Sequence, residues 1–352
     1  MNKKKNILIA GPILPPAGGI SIHIYRLEQL LKDEFVFSFI DEAATTKKNI
    51  FNLRSFNLFR YIKLVIASDL FFIHSGNKYF KKLHILTGKI LRKKIMITLH
   101  GYGNERSAFF RKMDSIYFNV ADKIILVNNQ IAAKLDLNPT KCIVKHAFLP
   151  PAMENEIALP NNLLEKIKIA KQSNSTIICG NASRLNTFNN EDLYGLDMCI
   201  ELSRKLKEIN CPALFVFVVT SLDEGKERYD AAIQLIENLS LADHFILLNK
   251  EISFVNLIAE SDIILRPTNT DGDALTIREG LFLGKSVVAS DVVSRPAETI
   301  LFKTRNHEDL FITIKKVIDE NKYTKNQTTI SSLINEDKKY YSNLFNELMN
   351  QN

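Results

Sequence analysis

The sequence predicts an α/β protein made of two parallel-sheet domains. Three observations lead there. Short apolar runs recur along the chain and are separated by longer stretches with helical spacing, the alternation that βαβ units require. The alternation occurs twice, broken around residues 146–175. The length, 352 residues, corresponds to two domains at about 150 residues each. A hydrophobic fraction of 46% and a charged fraction of 24% are ordinary for globular chains, and exclude disordered, collagen-like and disulfide-scaffold readings.

In the first half, strands are expected over residues 6–10, 35–40, 70–74, 94–99, 123–127 and 142–145, with helices over 20–31, 79–91 and 105–120. Pro150-Pro151, Pro160 and the polar pair Asn161-Asn162 punctuate the break and read as a domain connection. The second alternation places strands at 176–180, 214–219, 245–248, 263–265 and 286–289. Its helices fall at 195–209, 226–239, 254–260, 274–282 and 308–320, and 330–349 also has helical spacing. The expected domains are therefore 1–150 and 151–330, with 331–352 a C-terminal helix that packs back on the first. Two such domains facing each other would set a ligand cleft between them.

Charge separates the halves. Residues 1–150 hold 24 Lys+Arg and 10 Asp+Glu, a balance of +14; the remaining 22 and 29 give residues 151–352 a balance of −7. The basic half points to an anionic partner. No nucleic-acid-binding motif accompanies the charge, so nucleic acid is not expected. Cys142, Cys179, Cys199 and Cys211 contain no C-x-x-C pair, which fits a reducing compartment. The start, Met1-Asn-Lys-Lys-Lys, resembles the charged end of a signal peptide, but the apolar run at 7–10 stops at Gly11-Pro12. No stretch approaches the ~20 apolar residues of a membrane span. A cytoplasmic protein, peripheral on the inner face of the plasma membrane, is expected.

Two segments carry chemistry. Residues 11–23 lead from a strand end through Gly18-Gly19 into a helix, where free amides and glycine-lined space favour a bound anion. A plain strand-to-helix turn is the alternative, and G-x-G-x-x-G is absent. The second segment is Asp271-Gly-Asp-Ala-Leu-Thr-Ile-Arg-Glu279. Asp271 belongs to a loop or helix cap and Glu279 lies about two turns into the helix, so both carboxylates suit hydroxyls of one extended ligand. Against this stand simple capping by Asp271 or Asp273 and a solvated Glu279. A divalent metal on Asp271 and Asp273 ranks below capping, for no third ligand lies nearby; no metal and no cofactor are expected.

Taken together, these residues resemble the GT-B glycosyltransferases of family 4, which are retaining nucleotide-sugar enzymes with two Rossmann-like domains. The resemblance spans nearly the whole chain. It rests on Gly18-Gly19-Ile-Ser-Ile-His23, Thr98-Leu-His100-Gly, Ala182-Ser-Arg184-Leu followed by Gly195, Ser261-Asp-Ile-Ile-Leu-Arg-Pro267, Asp271 to Glu279, and Gly284-Lys-Ser-Val-Val-Ala-Ser-Asp291. It implies that Gly18 and Gly19 approach the donor's distal phosphate and that Arg184 neutralises the diphosphate. It also implies that His100 hydrogen-bonds near the transferred sugar. Glu279 corresponds to the second glutamate of an E-x7-E motif and would hold the ribose hydroxyls. The amides of Ala274, Leu275 and Thr276 would face phosphates or sugar. A surface ion pair for Arg184, a satisfied strand-end imidazole for His100 and packing for His23 are the bland alternatives.

Two positions depart from the family pattern. The first E-x7-E carboxylate is Asp271, about one methylene shorter. Tyr194 stands where a lysine usually precedes the glycine, here Gly195. The missing charge falls to helix amides or to another cation, Arg266, Arg278 or Lys285. Residues 80–94 and 51–64 add basic stretches interleaved with apolar side chains, suited either to an anionic leaflet or to ordinary helix packing.

The expected function is a retaining transfer from a nucleotide-diphosphate sugar to a glycan acceptor. The resemblance adds that this acceptor is a lipid-linked oligosaccharide of bacterial surface polysaccharide synthesis (O-antigen, capsule or exopolysaccharide). His100, Arg184 and Asp271 would be catalytic, the acidic half would bind the donor, and the basic half the acceptor. A GT-B epimerase or phosphorylase and a non-catalytic nucleotide-sugar or membrane-binding subunit are the alternatives.

Overall fold

The computed structural model describes residues 4–15, 18–103, 107–223, 225–272, 274–320 and 330–350. Pro16, Ala17 and Asp273, and the first residues of the helix expected over 105–120, lie outside them. The chain divides into two units, one of residues 1–150 with 331–352 and the other of residues 151–330.

The first unit holds a seven-stranded parallel sheet of β1 (Asn6–Gly11), β2 (Val36–Asp41), β3 (Phe51–Asn52), β4 (Leu70–Ile73), β5 (Lys94–Leu99), β6 (Lys123–Leu126) and β7 (Cys142–Val144), in the order β3-β2-β1-β4-β5-β6-β7. The connecting helices are α1 (Gly19–Leu31), α2 (Leu58–Ala67), α3 (Lys78–Ile90), α4 (Ala108–Phe118) and α5 (Asn129–Ala132). Ile7, Leu8, Ile9 and Ala10 are fully buried. A continuous apolar run is what a parallel strand covered on both faces needs. Asn77 caps α3 by accepting from the amides of Tyr79 and Phe80. Strand order reverses between β1 and β4, so their carboxyl ends flank the crevice where α/β sheets bind ligands. The C-terminal helix (Ile330–Asn350) places Tyr341, Leu344, Phe345 and Leu348 in one core with Ile7, Ile9, Leu27 and Phe72.

The second unit repeats the plan with β8 (Thr176–Ala182), β11 (Ala213–Val219), β12 (Phe245–Leu248), β13 (Ile263–Arg266), β14 (Ser286–Ser290) and β15 (Ile300–Phe302), ordered β12-β11-β8-β13-β14-β15. A separate hairpin joins β9 (Thr187–Phe188) to β10 (Glu191–Asp192). Its helices are α6 (Asn161–Gln172), α7 (Leu196–Glu208), α8 (Lys226–Asn238), α9 (Phe254–Glu260), α10 (Leu275–Phe282) and α11 (His307–Asp319). Here the order reverses between β8 and β13. Helix α6 corrects the expectation of an irregular connection up to residue 175. Pro160 sits at its N-cap, and Leu163 and Ile167 are buried against Ile177 and Val216. Strand β15 and the hairpin were not expected either; three and two residues are too few to show a period.

Each unit is thus a Rossmann-like α/β layer with its own switch point. Among the described residues no helix is long and apolar enough to cross a membrane. All four cysteines are free, and Cys179 and Cys199 are buried.

Candidate active site

In the second unit, β8 and β13 deliver polar residues to the switch point. Beyond β8, Ser183 and the exposed Arg184 open a loop, and the Ser183 hydroxyl lies 2.6 Å from the phenol of Tyr194. Tyr194 precedes Gly195, the N-cap of α7, which has φ +70°. A Cβ on Gly195 would fall 2.4 Å from the Pro267 carbonyl oxygen. Only glycine satisfies both that dihedral and that approach, and the contact lays Tyr194-Gly195 against the end of β13. Arg266, the last residue of β13, extends its guanidinium over the Tyr194 ring at 5.1 Å from the centroid.

Asp271 is the hub of this end of the sheet. Its Oδ2 accepts from Arg295 Nη1 at 2.9 Å, Arg266 Nε at 3.2 Å and the Thr268 hydroxyl at 3.2 Å. Its Oδ1 accepts from Arg266 Nη2 at 3.2 Å and the Gly272 amide at 2.9 Å. Five donors saturate a carboxylate that offers about four lone-pair sites. Burial acts most strongly on this group and would raise its pKa, yet Arg266 and Arg295 together hold it below the usual carboxylate value. Capping of α10 by Asp271 is not seen: the N-cap is Ala274, without a side-chain cap bond. Ala274, Leu275 and Thr276 form the start of α10, and the Thr276 hydroxyl is buried with no hydrogen-bond partner among the described residues. Glu279 is 3% exposed, which removes the solvated-face alternative. Beside the Arg184 loop, a hollow of about 630 Å³ is lined by Leu185, Thr187, Leu222, Lys226 and Arg228.

In the first unit, three imidazoles meet at the switch point. His23 comes from α1, His74 follows β4 and His100 follows β5. His74 Nδ1 lies 3.0 Å from His100 Nε2, and the three ring centroids are 5.1 to 5.3 Å apart. His23 Nδ1 lies 2.6 Å from the Ala147 carbonyl oxygen, so it carries a proton and donates. Burial lowers the pKa of His23 to about 4, against a smaller raising effect of the Ala147 bond. It also puts His74 and His100 well below the ordinary histidine value, helped by repulsion from His23 and Lys81 on both and from His100 on His74. All three imidazoles are neutral at pH 7. His23 Nε2, His74 Nε2 and the Thr98 hydroxyl are buried without hydrogen-bond partners among the described residues.

Gly18 and Gly19 precede this cluster at the start of α1. The Gly18 amide donates to the Ser21 hydroxyl at 2.9 Å and is thereby taken up within the turn. Among the described residues, a Cβ on Gly19 would meet nothing within 4 Å, and one on Gly18 only the Ser21 hydroxyl at 3.8 Å.

The sequence-selected residues thus fall into two groups. Arg184, Asp271, Ala274, Leu275, Thr276 and Glu279 belong to the second unit; Gly18, Gly19 and His100 belong to the first. His74 and Arg295 were not singled out from the sequence. His74 reads as the polar end of a strand, and Arg295 lies 24 residues beyond the carboxylate it binds. Among the described residues no group of three or more His, Cys, Asp and Glu is arranged to hold a metal ion.

No protein-family model and no curated protein matches this chain in sequence. Solved structures do match in fold. A glycosyltransferase from Rickettsia africae is 18% identical, with 99% of this chain and 100% of that one covered and a TM-score of 0.68. HepE of Anabaena, in complex with UDP and glucose, is 14% identical, with 97% and 100% covered and a TM-score of 0.67. Sucrose-phosphate synthase from Thermosynechococcus elongatus is 12% identical, with 98% and 100% covered and a TM-score of 0.63. The two-unit α/β architecture is that of these GT-B glycosyltransferases.

Proposed function

We propose that this chain is a retaining glycosyltransferase of the family 4 type. It would move a sugar from a nucleoside-diphosphate sugar to a lipid-linked glycan during assembly of a bacterial surface polysaccharide. One observation carries the reading: Arg184 lies two residues beyond the end of β8 and Arg266 ends β13, the two strands that flank the switch point of the second sheet, while Ala274–Thr276 open α10, on which Glu279 is buried. That set matches the charges and hydroxyls of a nucleotide sugar, and HepE, of the same fold, is found with UDP and glucose.

On this reading Arg184 and the amides of Ala274, Leu275 and Thr276 stabilise the diphosphate as negative charge builds on it. Glu279 accepts hydrogen bonds from the ribose hydroxyls. Asp271, its oxygens already occupied, acts by fixing the two guanidiniums rather than by meeting a sugar hydroxyl itself. His100, neutral and hydrogen-bonded to His74, offers its remaining ring nitrogen to the transferred sugar, and the turn at Gly18-Gly19 approaches the distal phosphate. The bond from the anomeric carbon to the diphosphate oxygen breaks while the acceptor hydroxyl oxygen bonds to the same face. The hydroxyl proton passes to the departing phosphate oxygen. Catalysis is then mainly positioning and charge stabilisation.

The acceptor side is supported by the basic excess of the first unit and by its outer helices. On the neighbouring α2, α3 and α4, Phe59, Tyr79, Ile90 and Phe109 are each at least 68% exposed. Arg60, Lys63, Lys78, Lys89 and Lys112 stand among them. Exposed apolar side chains among cations suit a peripheral contact with the anionic inner leaflet of the plasma membrane, where a lipid-linked acceptor would be presented. Calorimetry with UDP, GDP, ADP and CDP tests the donor reading. At least one binds if it is right, and binding of none rejects it.

A further inference from the structure

Tyr194 stands where the resembled glycosyltransferases carry a lysine, and a phenol holds no positive charge at neutral pH. A cation nevertheless occupies the space above its ring. The Arg266 guanidinium lies 5.1 Å from the ring centroid, close enough for a cation–π contact. Tyr194 is a fixed platform: its amide donates to Asp192 Oδ1 at 2.9 Å and its phenol meets Ser183 at 2.6 Å. Lys285 is no substitute, because it lies at the amino end of β14 and donates to the Ala259 carbonyl, whereas Arg266 ends β13 at the carboxyl edge.

The two arginines on Asp271 are held differently. Arg295, 2% exposed at its side chain, bonds Asp271 at 2.9 Å and also donates to the Ser290 carbonyl at 3.3 Å. Arg266, 12% exposed, makes contacts of 3.2 Å, 3.2 Å and 3.4 Å, the last to Asn181. Charge-assisted pairs are usually 2.7–2.9 Å. Two guanidiniums therefore share one carboxylate, and the looser one faces the switch point.

We propose that Arg266 is a second diphosphate-binding cation beside Arg184, delivered from the end of β13 in place of a charge at position 194. Arg295 is the positioning residue that keeps Asp271 paired when Arg266 turns its donors to phosphate. The assignment rests on the nucleoside-diphosphate reading above. Its ligand class is the diphosphate itself, independent of base and sugar.

The test is calorimetry on the full chain with UDP, GDP, ADP and CDP, and with the nucleoside of whichever diphosphate binds. Arg266→Gln should weaken the diphosphate about 10- to 100-fold, as expected for losing hydrogen bonds to a charged group, and the nucleoside less than twofold. Adding Tyr194→Lys to Arg266→Gln should restore at least a third of the lost affinity on a logarithmic scale. If Arg266→Gln does not fold, Arg266→Lys, which keeps the charge and loses the fork, should show the same selective loss at several-fold. Equal losses for diphosphate and nucleoside, or no loss, overturn the assignment while leaving the donor reading intact. Failure of Tyr194→Lys to restore affinity overturns the shared role of the two positions. Binding of none of the four diphosphates by the unmodified chain overturns the donor reading and the assignment with it.

Discussion

His74 Nδ1 lies 3.0 Å from His100 Nε2, joining the carboxyl ends of β4 and β5 through two neutral imidazoles. One of them must donate. If His100 donated, His74 would keep its proton on Nε2, a buried donor with no partner among the described residues. If His74 donates, only a bare lone pair is left there, the cheaper arrangement. His100 then carries its proton on Nδ1, as a donor. His74→Asn should lower kcat about tenfold and His100→Ala about 100-fold. A positioning role lowers kcat per folded molecule with KM little changed, whereas a merely structural role lowers the thermal midpoint and leaves kcat per folded molecule in place. Nitrogen NMR of the imidazoles reads the tautomer directly.

The same cluster makes stability depend on pH. Burial holds His23 near 4 and places His74 and His100 well below 6.5. Arg26 from α1 adds to the repulsion on His23, and Lys81 from α3 to that on His74 and His100. These folded-state values lie below the unfolded one, so as pH falls through 6.5 the unfolded chain takes up protons that the folded chain refuses. Stability should be level above about pH 7 and fall between 6.5 and 4, with His23 alone accounting for on the order of 3 kcal/mol. Thermal unfolding followed by circular dichroism across that window measures it. His23→Phe should flatten the slope.

How much of this was legible in the sequence depends on range. Runs such as Ile7–Leu8–Ile9 announce their strands because a strand covered on both faces needs no polar positions. The glycine-bearing turn before α1 and the Asp271–Glu279 spacing marked where α1 and α10 begin, beyond the carboxyl ends of β1 and β13. Helix α6 was hidden because Asn161 and Asn162 look like a linker, although Leu163 and Ile167 are four apart and share a face. The pairing of Arg295 with Asp271 and of His74 with His100 depends on neighbouring parallel strands placing distant residues side by side. No local period reports that.

The C-terminal helix completes the core of the first unit. Phe345 is fully buried, edge-on to Phe35 and Phe72 at 5.5 and 5.7 Å. Phe345→Ala should destabilise that unit by about 3–5 kcal/mol, read as an earlier transition in urea. The transition of the second unit should keep its midpoint.

Membrane docking by the outer helices is tested by co-sedimentation with vesicles of phosphatidylglycerol and phosphatidylethanolamine. Binding should fall as salt rises, and Phe59→Ser with Lys63→Glu should weaken it at least fivefold. Salt-independent binding, or none to anionic vesicles, would count against this face as the contact.

Sugar transfer itself gives the most direct test of the central claim. The chain is incubated with a panel of nucleoside-diphosphate sugars and bacterial membrane extract, released diphosphate is counted, and the anomeric configuration of the product is determined by NMR. The expected result is release from one donor, a product that keeps the donor's anomeric configuration, and at least a 100-fold loss of turnover in Arg184→Ala. No transfer from any donor, an inverted linkage, or full activity in Arg184→Ala would contradict it.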